Sequence, residues 1–296
     1  MIMKNRQVFT DKELNAIVQF DNSFKFMVSY DDLSEYNKGF VNWHKQSTVE
    51  ISVVVEGSVN VYVLEKEVTV KAGDGFVIMP GFLHSVRPTR KTDCAKYFTL
   101  IFHPELLYGI HGSFYENAFY LPFVNSKTPY YIISSKEMWS DNVFSKLKEI
   151  ATAYPFDTPE NRLWLQHTLQ NIWVILSERL SIETNTSTKN TRKILEMIVF
   201  LHEHYNEKFS LTAMSNSVLM SRNECCRYFK KMMNMTISEY LLEYRLSVAK
   251  ELIETSELTI TEISEQSGFC DVSYFIKVFK QYIGSTPKAY AYLKKK

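Results

Sequence analysis

Cysteine is scarce in this chain. Four residues, Cys94, Cys225, Cys226 and Cys270, occur in 296, and no two form a CxxC pair. Neighbours such as Cys225 and Cys226 point apart if they share a helix, so reduced thiols are expected. Long apolar runs are missing as well: none approaches the ~18 residues that span a bilayer. The opening MIMKNRQVFTDKEL has no signal-peptide h-region. A cytoplasmic protein without membrane contact is therefore expected. Charge of one sign is not in excess, since 34 basic residues meet 33 acidic ones for a net +1, which excludes a uniformly basic nucleic-acid coat. At 45% hydrophobic and 23% charged, the composition is close to average globular usage, which excludes a disordered, collagen-like or low-complexity chain. The length suffices for two buried cores. There is no Ser-His-Asp order, glycine-rich phosphate loop or metalloprotease motif. No enzyme activity, catalytic residue or cofactor is expected.

Glycine divides the chain. Gly39, Gly57, Gly73, Gly75, Gly81, Gly109 and Gly112 fall early, and none follows until Gly268 and Gly284. Between Val49 and Pro80, short β-branched runs (VEISVVV, VNVYV, VTV, FVIMP) alternate with the turn chemistries EGS, EKE and AGDG. This reads as antiparallel hairpins. With KYFTLIF and YYIIS as further strands, residues 1–133 form a small all-β barrel or sandwich. The period then changes: residues 134–180 carry two helices, KEMWSDNVFSKLKEIATAY and PENRLWLQHTLQNIWVILSERL. The second is apolar around much of its circumference, which fits either an intramolecular core helix or burial against a second subunit as well. Residues 181–191, SIETNTSTKNT, have no periodicity and form the linker. Residues 192–296 are all-α, with S/T-x-x-E capping boxes at Ser221/Glu224, Thr236/Glu239 and Thr259/Glu262. The predicted helices are 192–205, 211–218, 221–233, 237–255, 260–267, 271–281 and 287–293.

The last hundred residues repeat themselves. Arg227, Phe229, Lys230, Thr236 and Tyr240 fall on Lys277, Phe279, Lys280, Thr286 and Tyr290 at an offset of 50, while Leu211 and Ser215 fall on Ile260 and Ser264 at 49. One extra residue in the inter-helix turn accounts for the change. A short capped helix, a tight turn and a longer helix, present twice, is a pair of helix-turn-helix units whose second helices enter the major groove.

The segment from Phe209 to Tyr290 resembles the DNA-binding domain of the AraC/XylS transcription regulators. Its most specific part, GF-x-D-x-SYF-x-K-x-FK-x-x-x-G-x-TP-x-x-Y, runs from Gly268 to Tyr290, and the first half carries the matching R-x-FK and YR-L-x-x-A segments. The resemblance implies two helix-turn-helix units joined by a helix from Ile237 to Thr255, on the order of 27 Å long. It also implies that double-stranded operator DNA and RNA polymerase are partners. Carried over by position, the DNA-facing residues are Arg222, Asn223, Cys226 and Arg227 in the first recognition helix and Val272, Ser273, Tyr274 and Lys277 in the second. Lys230, Lys231, Lys280 and the tail Lys294, Lys295 and Lys296 are phosphate-contact candidates or members of a solvated face. Phe229 and Phe279 are expected to anchor the recognition helices in the core. Split at the linker, the charge is −2 for residues 1–191 (19 basic, 21 acidic) and +3 for residues 192–296 (15 basic, 12 acidic), so the basic balance is local.

WHKQSTVEISVVVEGSV and VKAGDGFVIMPGFLHSV resemble the two motifs of a cupin barrel, the effector domain of sugar-responsive members of that family. Metal-binding cupins use two histidines and a glutamate from the first motif and one histidine from the second. Here His44, Glu50 and His84 match, but Gln46, a poorer neutral ligand, replaces the remaining histidine, so no metal is expected. The residues instead suggest a small-molecule pocket: His44, Gln46, Glu50 and His84 offer hydrogen bonds, and Trp43, Phe76 and Phe82 apolar walls, a chemistry that suits a sugar. Alternatively, Glu50 and His84 pair with each other and hold the barrel together. The sequence thus predicts an α+β two-domain chain: an N-terminal cupin-like antiparallel β-barrel with trailing dimerisation helices, and a C-terminal all-α domain with two helix-turn-helix units. The expected function is a homodimeric, ligand-responsive, sequence-specific activator of carbohydrate-utilisation genes. Its rivals are a cupin metalloenzyme fused to a DNA-binding domain and a constitutive DNA-binding protein with the barrel as a dimerisation scaffold.

Overall fold

The computed structural model describes residues 3–4, 8, 10–11, 14–16, 18, 20, 24–36, 39–90, 94–125, 128–180 and 188–294. The chain divides into two compact units, residues 1–188 and 189–296.

Among the described residues, the first unit is built on ten strands: β1 (Met3–Lys4), β2 (Phe26–Asp32), β3 (Val41–His44), β4 (Val49–Glu56), β5 (Ser58–Val63), β6 (Lys66–Lys71), β7 (Gly75–Ile78), β8 (His84–Pro88), β9 (Lys96–Phe102) and β10 (Tyr130–Ile133). They form a six-stranded sheet in the order β1-β2-β9-β4-β7-β10 and a four-stranded sheet in the order β3-β8-β5-β6. All pairings are antiparallel except that of β1 with β2. The hairpins read between Val49 and Pro80 are present. The strands β2, β3 and β8 escaped the sequence reading because polar residues occupy their inward positions and blur the alternation that marks a half-buried strand.

The register sorts the residues of the six-stranded sheet into two faces. Val49, Ile51 and Val53 of β4, with Phe98, Leu100 and Phe102 of β9, lie in one buried cluster with the helices α3 (Ser140–Ala153) and α4 (Pro159–Arg179). Val54, Tyr97, Phe76 and Ile78 face the other way and pack with Val41, Val59, Val61, Val63 and Val86 of the smaller sheet. The two sheets thus enclose an inter-sheet core.

Residues 105–125 depart from the all-β expectation for residues 1–133. They form α1 (Glu105–Tyr108), a π-helical turn (Glu116–Tyr120) and α2 (Leu121–Asn125) between β9 and β10. These pieces are too short to show a helical period and owe their place to tertiary contacts with α4. Trp173 Nε1 donates to Phe119 O at 2.7 Å, Gln170 Nε2 donates to Leu107 O at 3.0 Å, and Phe123 meets the Trp173 ring at 5.2 Å. Leu165, Thr168, Leu169, Ile172, Trp173 and Leu176 of α4 are buried within this unit, while Leu163 is 69% exposed.

The second unit contains α5 (Thr188–Glu203), α6 (Leu211–Ser217), α7 (Arg222–Met233), α8 (Ile237–Thr255), α9 (Ile260–Gln266), α10 (Val272–Ile283) and α11 (Pro287–Lys294). All three capping boxes are formed, each with a hydroxyl accepting from the N3 amide and the N3 carboxylate accepting from the N-cap amide. The hydroxyl and amide donors of Ser221 hold the Glu224 carboxyl below the usual range. Replacing Thr259 with alanine removes the cap of α9 and is expected to cost about 1 kcal/mol, measured as a lower urea midpoint at unchanged m-value. Residues 181–187 of the expected linker lie outside the described residues, and residues 188–191, assigned to the linker, begin α5. The sequence signal starts a turn late because threonine and asparagine are weak helix formers.

The repeat is structural as well as textual. Phe229 and Tyr240 meet edge to face at 5.5 Å and 69°, and Phe279 and Tyr290, fifty residues on, meet at 5.8 Å and 70°. Phe229 and Phe279 are fully buried, and the small residues Ser215 and Ser264 are buried at matching positions. Asn234 closes α7 with φ +51°, where Gly284 closes α10 with φ +87°.

Candidate DNA-reading surface and effector site

The α6–α7 and α9–α10 pairs each place a second helix with one buried and one exposed face. On α7, Cys225, Phe229, Met232 and Met233 are buried, while Arg222, Asn223, Cys226, Arg227, Lys230 and Lys231 are exposed. On α10, Phe275, Val278 and Phe279 are buried, Ser273, Tyr274, Lys277 and Lys280 are exposed, and Val272 is half-buried. The acidic residues on these helices are turned to other work. The Glu224 carboxylate accepts from Ser221 N at 2.9 Å, and Asp271 accepts from Tyr274 N at 2.6 Å. Among the charged side chains of each exposed face, the basic ones outnumber the capping carboxylate: Arg222, Arg227, Lys230 and Lys231 against Glu224, and Lys277 and Lys280 against Asp271.

The sequence reading missed Ile276, which is exposed on α10 and matches Cys226 at the offset of 50. The offset alone would have found it. Lys295 and Lys296 lie outside the described residues, as does the side chain of Lys294.

Two motif segments of the C-terminal unit meet in space. Arg245, from the YR-L-x-x-A segment, donates from Nε to Tyr205 O and from Nη2 to Glu207 O, both at 2.7 Å, tying α8 to the connection between α5 and α6. Gly268, which opens the GF-x-D segment, packs against the same place with φ +83°. A Cβ there would lie 2.3 Å from Tyr205 O and 2.9 Å from Arg245 Nε.

The inter-sheet core of the first unit carries a buried polar band. Ser29, Thr99 and Ser52 lie side by side on β2, β9 and β4, and Ser52 Oγ and Thr99 Oγ1 share a 2.8 Å hydrogen bond. Ser29 Oγ donates to Asp31 at 3.0 Å, and the Tyr36 hydroxyl donates to the same carboxylate oxygen. One pleat beyond Ser52, Glu50 meets His84 from the opposite sheet, with 3.2 Å between Oε2 and Nε2. His44 and His84 stand opposite each other on β3 and β8 with ring centroids 4.1 Å apart. All of these groups except Tyr36 are buried.

The predicted effector set is thus brought together only in part. His44, Glu50 and His84 converge between the sheets, and Phe76 lies on the same face beside Ser52. Gln46 is buried in the β3–β4 turn. Phe82 borders both cores, and its carbonyl lies 2.9 Å from His84 Nδ1. Trp43 stands apart. A register shift between Val41 and His44 turns it toward Tyr62, at 6.4 Å, and Tyr62 alternates with the inward-facing Val61 and Val63. Ser29, Asp31, Ser52 and Thr99 carried no sequence signal, because only the pairing of β2, β9 and β4 aligns them.

Comparison with known proteins agrees with both halves. A family model for an AraC-like ligand binding domain matches residues 30–131, and one for a helix-turn-helix domain matches residues 214–292. The HTH-type transcriptional regulator YdeC of Bacillus subtilis (strain 168) is 28% identical over 257 residues, 85% of this chain and 86% of that one. The melibiose operon regulatory protein of Escherichia coli (strain K12) is 19% identical over 253 residues, 84% of this chain and 82% of that one. An apo ToxT variant from Vibrio cholerae, seen in a crystal structure, superposes with a TM-score of 0.44 at 19% identity, covering 92% of this chain and 99% of that chain. With a two-sheet, cupin-like ligand-binding domain followed by a double helix-turn-helix domain, the chain belongs to the AraC/XylS family of transcription regulators.

Proposed function

We propose that this regulator binds a sugar-like effector between its two sheets and, as a homodimer, activates carbohydrate-utilisation genes by sequence-specific binding to operator DNA. The observation that carries the effector reading is the band of buried hydroxyls and carboxylates, Ser29, Asp31, Ser52, Thr99 and Glu50, inside an otherwise apolar core. Burial of so many polar groups is costly unless each is satisfied. Hydroxyl and carboxylate groups set side by side suit a polyhydroxylated ligand, which donates and accepts at neighbouring carbons. The name of the melibiose operon relative points the same way.

On the DNA side, Arg227 is suited to a bidentate contact with guanine and Asn223 to one with adenine. Cys226 and Val272 offer apolar contact, and Lys230 and Lys280 offer charge to phosphates. Arg222, Ser273, Tyr274 and Lys277 complete the two reading faces. Dimerisation is assigned to α4, whose Leu163 and Val174 stay exposed. RNA polymerase is the partner through which activation proceeds, and the site of action is the cytoplasm, where operator and polymerase meet.

An effector works only by binding two arrangements of the regulator unequally. A thermal-shift screen of mono- and disaccharides, phosphorylated ones included, tests the reading. A cognate sugar at a hundred times its Kd is expected to stabilise the chain by about 2.7 kcal/mol. If no saccharide raises the melting temperature, the barrel is instead a scaffold for a constitutive DNA-binding protein.

A further inference from the structure

We infer that the outer face of the smaller sheet carries a second ligand site, in which Arg87 and Trp43 bind a small organic carboxylate beside the rings of Phe40 and Tyr62. The site lies on the side of that sheet turned away from the polar band, so the inference goes beyond the effector reading and does not rest on it.

Strand register brings the four residues together. Val86 of β8 and Val61 and Val63 of β5 point into the inter-sheet core, so Ser85, Arg87, Asn60 and Tyr62 point outward. Ser85 pairs with Tyr62 and Arg87 with Asn60. From β3, on the other side of β8, the Trp43 ring comes to 6.4 Å from the Tyr62 ring. Arg87 folds back along β8, with Nε 3.4 Å from Ser85 Oγ, and its Cζ lies 4.4 Å from the centre of the Phe40 ring and 5.4 Å from that of Tyr62. Indole and guanidinium thus both border the Tyr62 ring.

Both groups have a donor to spare. Trp43 is 4% exposed, and its Nε1 has no hydrogen-bond partner. The buried Nη2 of the half-buried Arg87 has none either. Among the described residues no carboxylate forms an ion pair with Arg87. Indole and guanidinium nitrogens only donate, so what this face lacks is an acceptor. A water molecule would accept from them, but only an anion also answers the charge, and the planar fork of arginine matches a carboxylate.

The surroundings narrow the ligand class. Glu67 is held on the same face by Asn60 Nδ2 and the Tyr62 hydroxyl, both donating at 2.8 Å. A guanidinium opposed by that carboxylate suits one negative charge better than the two of a phosphate. The rings of Phe40, Trp43 and Tyr62 offer apolar contact to the body of the ligand.

The test is isothermal titration calorimetry of the full-length chain with sodium benzoate at neutral pH, with neither saccharide nor DNA present. The expected result is one saturable site per chain, with benzyl alcohol, similar in shape but uncharged, binding far more weakly. Affinity for benzoate is expected to fall at least ~10-fold in Arg87→Gln, which removes the charge, and at least ~3-fold in Trp43→Phe, which keeps a ring and removes the N–H. Of the four indole N–H signals in a nitrogen-15 spectrum, the one absent from Trp43→Phe is expected to move when benzoate is added. Absence of saturable benzoate binding, equal binding of benzyl alcohol, or an affinity that neither variant alters overturns the proposal. Tighter binding of inorganic phosphate than of benzoate overturns the carboxylate assignment. The saccharide reading stands or falls separately, because no sugar enters this titration.

Discussion

Replacing Gly268 with alanine is expected to destabilise the C-terminal unit by about 3 kcal/mol or more, a large fraction of what holds a small domain together. Two costs add. The left-handed conformation at φ +83° penalises any residue with a Cβ by roughly 1–2 kcal/mol. The Cβ would also sit 2.3 Å from Tyr205 O and 2.8 Å from Asn206 Cα, and neither is the end of a flexible side chain. Relief requires the α5–α6 connection to move, which breaks the hydrogen bonds from Arg245 to Tyr205 and Glu207. Urea unfolding followed by circular dichroism checks this, and a loss below 1 kcal/mol would show that the connection yields easily. The first helix-turn-helix unit provides the contrast. Leu219 occupies the matching position at offset 49 with φ +52°, yet its side chain is 88% exposed. The first turn thus bears only the conformational cost.

Arg227→Ala and Lys277→Ala are each expected to weaken binding to a selected operator by about 1–3 kcal/mol, roughly 5- to 150-fold, while random DNA loses far less. Both residues are exposed at matching positions on α7 and α10, on faces whose buried sides are anchored by Phe229 and Phe279. The face of α7 also holds Arg222, Asn223, Lys230 and Lys231, so the background charge that drives nonspecific binding persists after one substitution. Fluorescence anisotropy on operator and random duplexes at two salt concentrations separates the roles. Equal losses on both, with the salt slope falling by about one, would make these side chains phosphate ligands. Net charge of only +3 for residues 192–296 (15 basic, 12 acidic) implies modest nonspecific affinity, which the proposed dimerisation on paired sites would raise.

The two halves differed in how much of them could be read in advance. In the C-terminal unit, helices and caps follow local rules, and the helix boundaries from α6 to α11 agree with the sequence reading to within about two residues, the usual fraying of helix ends. Capping boxes are three-residue signals, and the repeat supplies a second copy of each contact to check the first. In the N-terminal unit, the hairpins between Val49 and Pro80 were legible from turn chemistry, but β2, β3 and β8 were not, because their inward residues include Asp31, His44 and His84. The helical insertion at residues 105–125 was missed for a related reason. Pieces of four or five residues have no period, and tertiary contacts, among them those of Trp173 and Gln170 on α4, hold them in place.

The sequence by itself determined the two-part organisation, the paired helix-turn-helix units, their caps and the basic faces of the recognition helices, all of which depend on neighbours within about a turn of chain. Tertiary structure alone decided the buried polar band proposed as the effector site. Ser29, Ser52 and Thr99 become neighbours only through strand pairing across 47 residues of chain between Ser52 and Thr99. Trp43 is buried beside Tyr62, apart from the predicted effector residues, next to a register shift, and Glu50 reaches His44 and His84 only because two sheets stack. Strand register is a long-range property, and a slip of one residue sends every side chain to the opposite face.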